Sequence, residues 1–212
     1  MKTLYSRYIK RLIDFVISVV GLLILSPILI VISIMIAVKL GKPVLFTQDR
    51  IGKNGKIFKL YKFRSMSNEV DLDGNLLPDN LRLTSFGKFL RSTSIDELPE
   101  LWNIIIGDMS LVGPRPLVTQ YLPYFTKDEA KRHDVRPGLT GFAQINGRNS
   151  LSWEERFAYD VTYVEKISFS LDLRIILKTF FKVFKRSDIG ERGVGVLEDF
   201  DTYRKQQLRK ED

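Results

Sequence analysis

The chain has 212 residues, with 33 Lys and Arg against 25 Asp and Glu, a net charge of +8 and a pI near 9.6. Its content, 44% hydrophobic and 27% charged, suits one domain with a real core, and the basic balance favours anionic partners: nucleic acid, anionic lipid or phosphorylated substrates. With no cysteine and a single histidine, His133, there is no disulfide framework and no thiolate metal site, and a zinc centre or a Ser-His triad is disfavoured.

The N-terminal segment carries Lys2, Arg7, Lys10 and Arg11, and an uncharged run follows from Phe15 to Val38. The run is too long for a signal peptide and no small-residue cleavage site follows it. As a helix it would be roughly 36 Å long, enough to cross a bilayer core. Basic residues flank both ends, so the positive-inside rule selects no orientation for a simple crossing. Ser26 and Pro27 stand at its centre. Pro27 has no N–H and frees the carbonyl of Leu23, which favours a kink, and the Ser26 hydroxyl can help to satisfy that backbone. A spanning helix and a re-entrant helix that returns to the same face are equally consistent with these residues.

Val44–Thr47 and Ile57–Tyr61 are predicted to form a β-hairpin turning at Asn54-Gly55. The segment from Glu69 to Asn80 reads as a solvated loop, since Asp71, Asp73 and Asn75 lack the spacing and closing Glu of a calcium loop. Ser94-Ile95-Asp96-Glu97 matches a capping box, with Ser94 as N-cap and Glu97 at the third helical position. Leu98, Leu101, Trp102, Ile105 and Ile106 continue at helical spacing. Turns are expected at Gly113-Pro114-Arg115-Pro116 and Arg136-Pro137-Gly138, and Leu139–Gln144 is strand-like. Trp153–Lys166 and Ser170–Arg186 read as helices, the second basic and amphipathic, suited either to a membrane interface or to core packing with a solvated basic face. The tail from Gly190 is expected to be partly flexible.

The chemistry centres on Asp96. Near a helix start, free N–H groups favour a phosphate oxygen and keep a carboxylate ionised, and such a carboxylate can attack phosphorus to form an acyl phosphate. Mg²⁺ or Arg and Lys must then screen the phosphates. Lys62, Arg64, Arg91, Arg115 and Arg148 lie at predicted turns and are candidate phosphate ligands. Glu97 is either a cap or a partner of Asp96. There is no P-loop and no dinucleotide-binding glycine motif. A membrane-anchored adaptor that binds lipid or nucleic acid through its basic surface is the competing reading.

The strings FTQDRIG, YKFRSM, RSTSIDELPEL, GDMSLVGPRP, RPGLTG and QINGRN, with Lys10–Phe15 and Ser26-Pro27 before them, carry a resemblance. From Lys10 to about Arg186 the chain resembles the small monotopic phosphoglycosyl transferases of the bacterial sugar transferase family. The resemblance implies transfer of a sugar-1-phosphate from a UDP-sugar to undecaprenyl phosphate, releasing UMP, in a ping-pong reaction that requires Mg²⁺. It places the nucleophile at Asp96, near or on the metal, and its dyad partner at Glu97. Further polar site positions fall on Lys62, Arg91, Arg115, Arg148 and Asp160. Overall similarity points to an N-acetylated amino sugar such as UDP-diacetylbacillosamine, with UDP-galactose or another UDP-HexNAc open.

The implied fold is α+β and mostly helical: a re-entrant membrane helix kinked at Ser26-Pro27, a small β-hairpin and amphipathic interface helices. The expected organisation is a basic N-terminus and membrane helix over 1–40, a catalytic domain over 41–190 and a tail over 191–212. The expected place is the bacterial inner membrane with the catalytic domain facing the cytoplasm, downstream glycosyltransferases as protein partners and no nucleic acid.

Overall fold

A computed structural model describes residues 4–147, 150–185 and 198–211, so Arg148 and Arg186 lie outside the described residues. After a π-helical turn at Tyr5–Ile9, one helix, α1, runs from Lys10 to Lys39 with Pro27 inside it. The Ser26 hydroxyl donates to the Leu23 carbonyl at 2.8 Å, the acceptor that Pro27 cannot serve. Among the described residues this is one helix long and apolar enough to cross a membrane. Much of its surface is bare: Leu23 and Ile24 are each 70% exposed, and Ile28, Ile30 and Val31 are exposed as well. Both halves of α1 nevertheless touch the rest of the protein. Leu22 and Leu25 pack on a cluster with Leu101 and Ile104, while Ile32 and Ile36 pack with Phe63 and Leu90.

The hairpin forms as expected and runs longer: β1 (Leu45–Ile51) pairs antiparallel with β2 (Ile57–Phe63), from Leu45 opposite Phe63 to Ile51 opposite Ile57. Asn54 and Gly55 both take positive φ in the turn, as this dipeptide favours. The acidic loop is a small turn in which Asp71 accepts from the N–H groups of Asp73 and Asn75. Two short helices follow, α2 (Asp79–Arg82) and α3 (Ser85–Ser92), the latter capped by the Thr84 hydroxyl. A Cβ at Gly87 would lie 1.8 Å from the Ser65 carbonyl oxygen, so only glycine lets α3 approach the strand end this closely.

Next come α4 (Glu100–Ile106), β3 (Ser110–Val112), α5 (Lys127–Ala130), β4 (Gly138–Thr140) and α6 (Phe142–Asn146). β3 and β4 pair in parallel, Ser110 with Gly138 and Val112 with Thr140. A Cβ on Gly138 would sit 2.1 Å from the Gly113 nitrogen, which explains why both turns carry glycine. The strand expected over Leu139–Gln144 is therefore cut short: Gly141 ends it and the remainder is α6.

α7 (Trp153–Lys166) matches its predicted bounds and starts with a complete capping box between Ser152 and Glu155. α8 spans Phe169–Lys185 and exposes Leu173, Leu177, Phe180 and Phe181 while burying Ile175. The segment expected as a tail contains a further helix, α9 (Phe200–Glu211). Phe200 is fully buried among Leu117, Tyr121, Trp153 and Phe157, and the Trp153 indole donates to the Glu198 carbonyl at 2.9 Å.

Candidate active site

The acidic pair does not open a helix. Ser94 adopts the left-handed conformation, φ 55°, and its side chain caps nothing. Ile95–Glu97 form a single 3-10 turn, and the regular helix starts only after Pro99, whose fixed φ suits a first helical turn. The capping box expected at Ser94 and Glu97 is absent for that reason. Asp96 and Glu97 instead lie at an elbow between α3 and α4, only 3% and 7% exposed. A left-handed serine costs on the order of 1–3 kcal/mol, so the surrounding packing must hold the elbow.

Glu97 has charge partners in place of a capping role. Its Oε1 accepts from Lys62 Nζ at 2.8 Å and from Arg115 at 2.7 Å. Lys62 also lies 3.0 Å from Glu100, which is 2% exposed. Asn103 sets this geometry. Buried in α4, it donates to the Lys59 carbonyl at 2.7 Å and accepts from the Tyr61 N–H at 3.0 Å, so the end of β2 is pinned beside the acids. Burial, with Glu97 nearby, pushes the Glu100 carboxyl up to about 7 against the opposing pull of Lys62. The charge of Glu97 raises Arg115 above the ordinary arginine range, so that cation is permanent.

Arg115 is held from behind. Arg132 donates to the Arg115 carbonyl at 2.8 Å and grips Asp160 through two donors, at 3.0 and 2.7 Å. Arg132 and Asp160 are each 2% exposed, and the guanidinium also lies over the rings of Phe125 and Phe157. Asp160 is thus the counter-ion of Arg132, and burial raises its carboxyl. Arg50, across from the same turn, donates to the Pro116 carbonyl at 3.4 Å, and burial with the nearby charge of Arg115 lowers it to about 10. His133 is buried beside Arg132 and is lowered to about 4 by burial and that cation.

The structure therefore brings Lys62, Asp96, Glu97 and Arg115 to one place. Arg91 ends α3, with its Nε on the Ser65 hydroxyl at 2.9 Å. Arg64, a candidate phosphate ligand, lies elsewhere: it is buried and donates to the carbonyls of Leu40, Gly41 and Lys42 at the end of α1. Ser26 and Pro27 lie in the middle of α1. Sequence reasoning missed Glu100, Arg132 and Arg50, whose only signal was their place in the quoted strings or next to the lone histidine.

Among the described residues no group of three or more acidic, His or Cys side chains is set to enclose a metal ion. The donor set still fits Mg²⁺, which is usually held by one or two carboxylates together with substrate phosphate oxygens rather than by a protein cage. Asp96, buried at the elbow beside Glu97, is a carboxylate that could serve such an arrangement.

Comparison with known proteins follows the same residues. The profile of the family described as bacterial sugar transferase matches residues 5–186. The uncharacterized sugar transferase EpsL of Bacillus subtilis strain 168 is 52% identical over 175 residues, covering 82% of this chain and 87% of that protein. A UDP-glucose:undecaprenyl-phosphate glucose-1-phosphate transferase of Klebsiella pneumoniae is 41% identical over 186 residues, covering 82% of this chain. An undecaprenyl-phosphate galactose phosphotransferase of Salmonella typhimurium strain LT2 is 38% identical over 198 residues, covering 85% of this chain. The matches extend over only 40% and 41% of those two longer relatives. With the family profile spanning most of the chain and the elbow acids, the GPRP turn and the apolar helix all inside it, the chain belongs to the bacterial sugar transferase family.

Proposed function

We propose that this protein is a membrane-associated phosphoglycosyl transferase that moves a sugar-1-phosphate from a UDP-sugar to undecaprenyl phosphate. The observation that carries the reading is the buried elbow, where Asp96 stands beside a Glu97 carboxylate bridged by Lys62 and Arg115. The names of the Klebsiella and Salmonella relatives support the same reaction class.

In the mechanism we infer, a carboxylate oxygen of Asp96 attacks the β-phosphorus of the UDP-sugar. The bond from that phosphorus to the bridging oxygen breaks, and UMP leaves with the electron pair. A phosphate oxygen of the lipid then attacks the same phosphorus. The phosphorus–Asp96 bond breaks, restoring the carboxylate and giving undecaprenyl-diphosphate-sugar. Arg115 and Lys62 offset the negative charge that otherwise keeps a carboxylate from a diphosphate, and Glu97 fixes both cations. Mg²⁺, held by Asp96 and the diphosphate, would supply further charge neutralisation. Arg91 and Arg148 complete the proposed set of phosphate contacts.

We read α1 as re-entrant. Its two halves both pack on the catalytic body, Leu25 and Leu29 included, while Leu23, Ile24 and Ile28 near Pro27 are bare. Both chain ends then face the cytoplasm, at the inner membrane of a bacterium. A tag at the N-terminus found on the far side of the membrane would refute this topology.

The decisive assay is UMP release from UDP-sugars with and without undecaprenyl phosphate. The panel should contain UDP-glucose and UDP-galactose, after the relatives' names, beside UDP-N-acetyl sugars and UDP-diacetylbacillosamine. Asp96→Asn should abolish release while UDP-sugar binding persists; normal release by that variant would remove Asp96 as the nucleophile.

A further inference from the structure

Beside the acidic elbow is a cavity of about 410 Å³, within the range of small-molecule sites. Leu98, Leu111, Leu139, Ile145, Ile176 and Phe180 form its apolar wall, and Thr93, Ser94, Glu97, Gln144 and Lys182 bring polar groups to its edge. Thr140 and Thr179, also in the wall, share a hydrogen bond of 2.6 Å, and Thr179 donates to the Ile175 carbonyl, so their hydroxyls are satisfied within the protein. The polar groups are few against the apolar wall, so a nucleotide placed here would bury most of its own polar groups without partners. An unsaturated hydrocarbon chain would not.

The surroundings identify the chain. Ile17 of α1 and Phe180 of α8 both line the cavity, and each belongs to a helix with an exposed apolar face. On α1 that face continues through Phe15, Val16 and Val20, and on α8 through Leu173, Leu177 and Phe181. The cavity is thus continuous with the two surfaces best suited to contact lipid, and its lining reaches Glu97, the residue that holds Lys62 and Arg115. A ligand that spans this path has a hydrocarbon body and an anionic head at the cations.

We propose that this cavity is the acceptor's own site, taking the isoprenoid units nearest the phosphate of undecaprenyl phosphate and delivering that phosphate to the elbow. The assignment rests on the functional reading above. It makes Ile17, Leu139 and Ile176 determinants of lipid recognition, and it separates the lipid path from the nucleotide path.

The test fills the cavity from two sides. Ile17→Trp acts at a half-exposed position, where loss of the fold is not at stake, and Ile176→Phe acts on the α8 wall. Leu23→Trp, on the bare part of α1, controls for membrane insertion. The filled variants should raise KM for undecaprenyl phosphate by about tenfold or more, the loss expected for one displaced apolar group. Their affinity for the UDP-sugar, followed by thermal shift, should stay at the wild-type value, and Leu23→Trp should change neither quantity. Wild-type turnover with an unchanged lipid KM in both filled variants overturns the cavity assignment alone. An equal rise in Leu23→Trp also overturns it, since bulk lipid contact would then be the cause. No turnover by the wild-type protein with any sugar in the panel overturns both the assignment and the reading beneath it.

Discussion

Replacing Arg132 by Met should be among the most damaging changes available outside the elbow. The guanidinium is almost wholly buried, and it makes two hydrogen bonds to Asp160, itself 2% exposed. Met fills much of the same space between Phe125 and Phe157 but leaves a buried carboxylate without its cation. Breaking a buried pair in this way costs about 3–5 kcal/mol. For a chain of this length that is a fall of roughly 6–20 °C in melting temperature, at about 2–4 °C per kcal/mol. Asp160→Leu should cost a similar amount by stranding the cation. The double variant removes both charges and should recover most of the loss, because an apolar pair of similar volume is often neutral or better. Arg132 also holds the Arg115 carbonyl, so even the stable double variant should show a raised KM for the UDP-sugar. The assay is a thermal scan of all four proteins in nanodiscs, with UMP release measured on each. Single variants within about 1 kcal/mol of wild type, the level of a surface pair, would refute the buried-pair argument. A double variant no more stable than either single would refute it equally.

Other outcomes follow from the same geometry. Glu97→Gln should lower UMP release by about 100-fold, because both cations lose the charge that positions them, whereas a residue that merely capped a helix would lose far less. Ser94→Gly should be neutral or stabilising and Ser94→Val destabilising, read by thermal scan, since glycine relieves the left-handed position and a β-branched residue worsens it. The pH dependence carries two opposite signs. Glu100 is raised from 4.5 to about 7, so the folded state holds its proton more tightly and this contribution to stability, about 3 kcal/mol, is lost as pH rises from 4.5 to 7. His133 is lowered from 6.5 to about 4, so its contribution is lost as pH falls through that window, by at most about 3 kcal/mol less solvent screening. Relative to wild type, Glu100→Gln should therefore gain stability with rising pH and His133→Gln with falling pH; melting temperatures between pH 4 and 8 check both, and slopes of the same sign would refute the assignment.

Local chemistry made several elements legible. Asn54-Gly55 marked the hairpin because the dipeptide suits positive φ, and Ser152 with Glu155 brackets the start of α7 as a capping box should. The same rule misled at Ser94-Glu97, where the pattern is present but Ser94 goes left-handed and Pro99 resets the helix start. Leu139–Gln144 read as strand because nothing local shows how closely Gly141, where the strand ends, must approach Gly113. The site was half legible. Asp96, Glu97 and Arg115 sit in one short stretch, but Lys62 reaches Glu97 from 35 residues away and Arg132 reaches Asp160 from 28. Such pairings depend on how elements stack, and a basic residue at a turn looks the same whether it meets a carboxylate, as Lys62 does, or a helix end, as Arg64 does.

The apolar helix α1 also has a structural part in the site, because its first turns hold two of the site's walls. Arg11 donates to the carbonyls of Ile104 and Ile105 at 2.5 and 2.8 Å, where α4 ends at a left-handed Gly107. Asp14 accepts from the Ser110 hydroxyl at 2.6 Å and from the Leu111 N–H at 3.2 Å, on the strand that leads into the turn of Arg115. Lys10 reaches Asp172 on α8 at 2.7 Å, and Tyr163 closes the same network from α7 at 2.7 Å. The charges of Lys10, Asp14 and Asp172 are buried, so they do not exchange freely for water. A displacement of α1 must move α4, β3 and α8 with it. If α1 enters the lipid as proposed above, the carboxylates, the cations and the apolar cavity are held at one depth relative to it. The reaction proposed above, between a soluble nucleotide-sugar and an embedded phosphate, would require that registration.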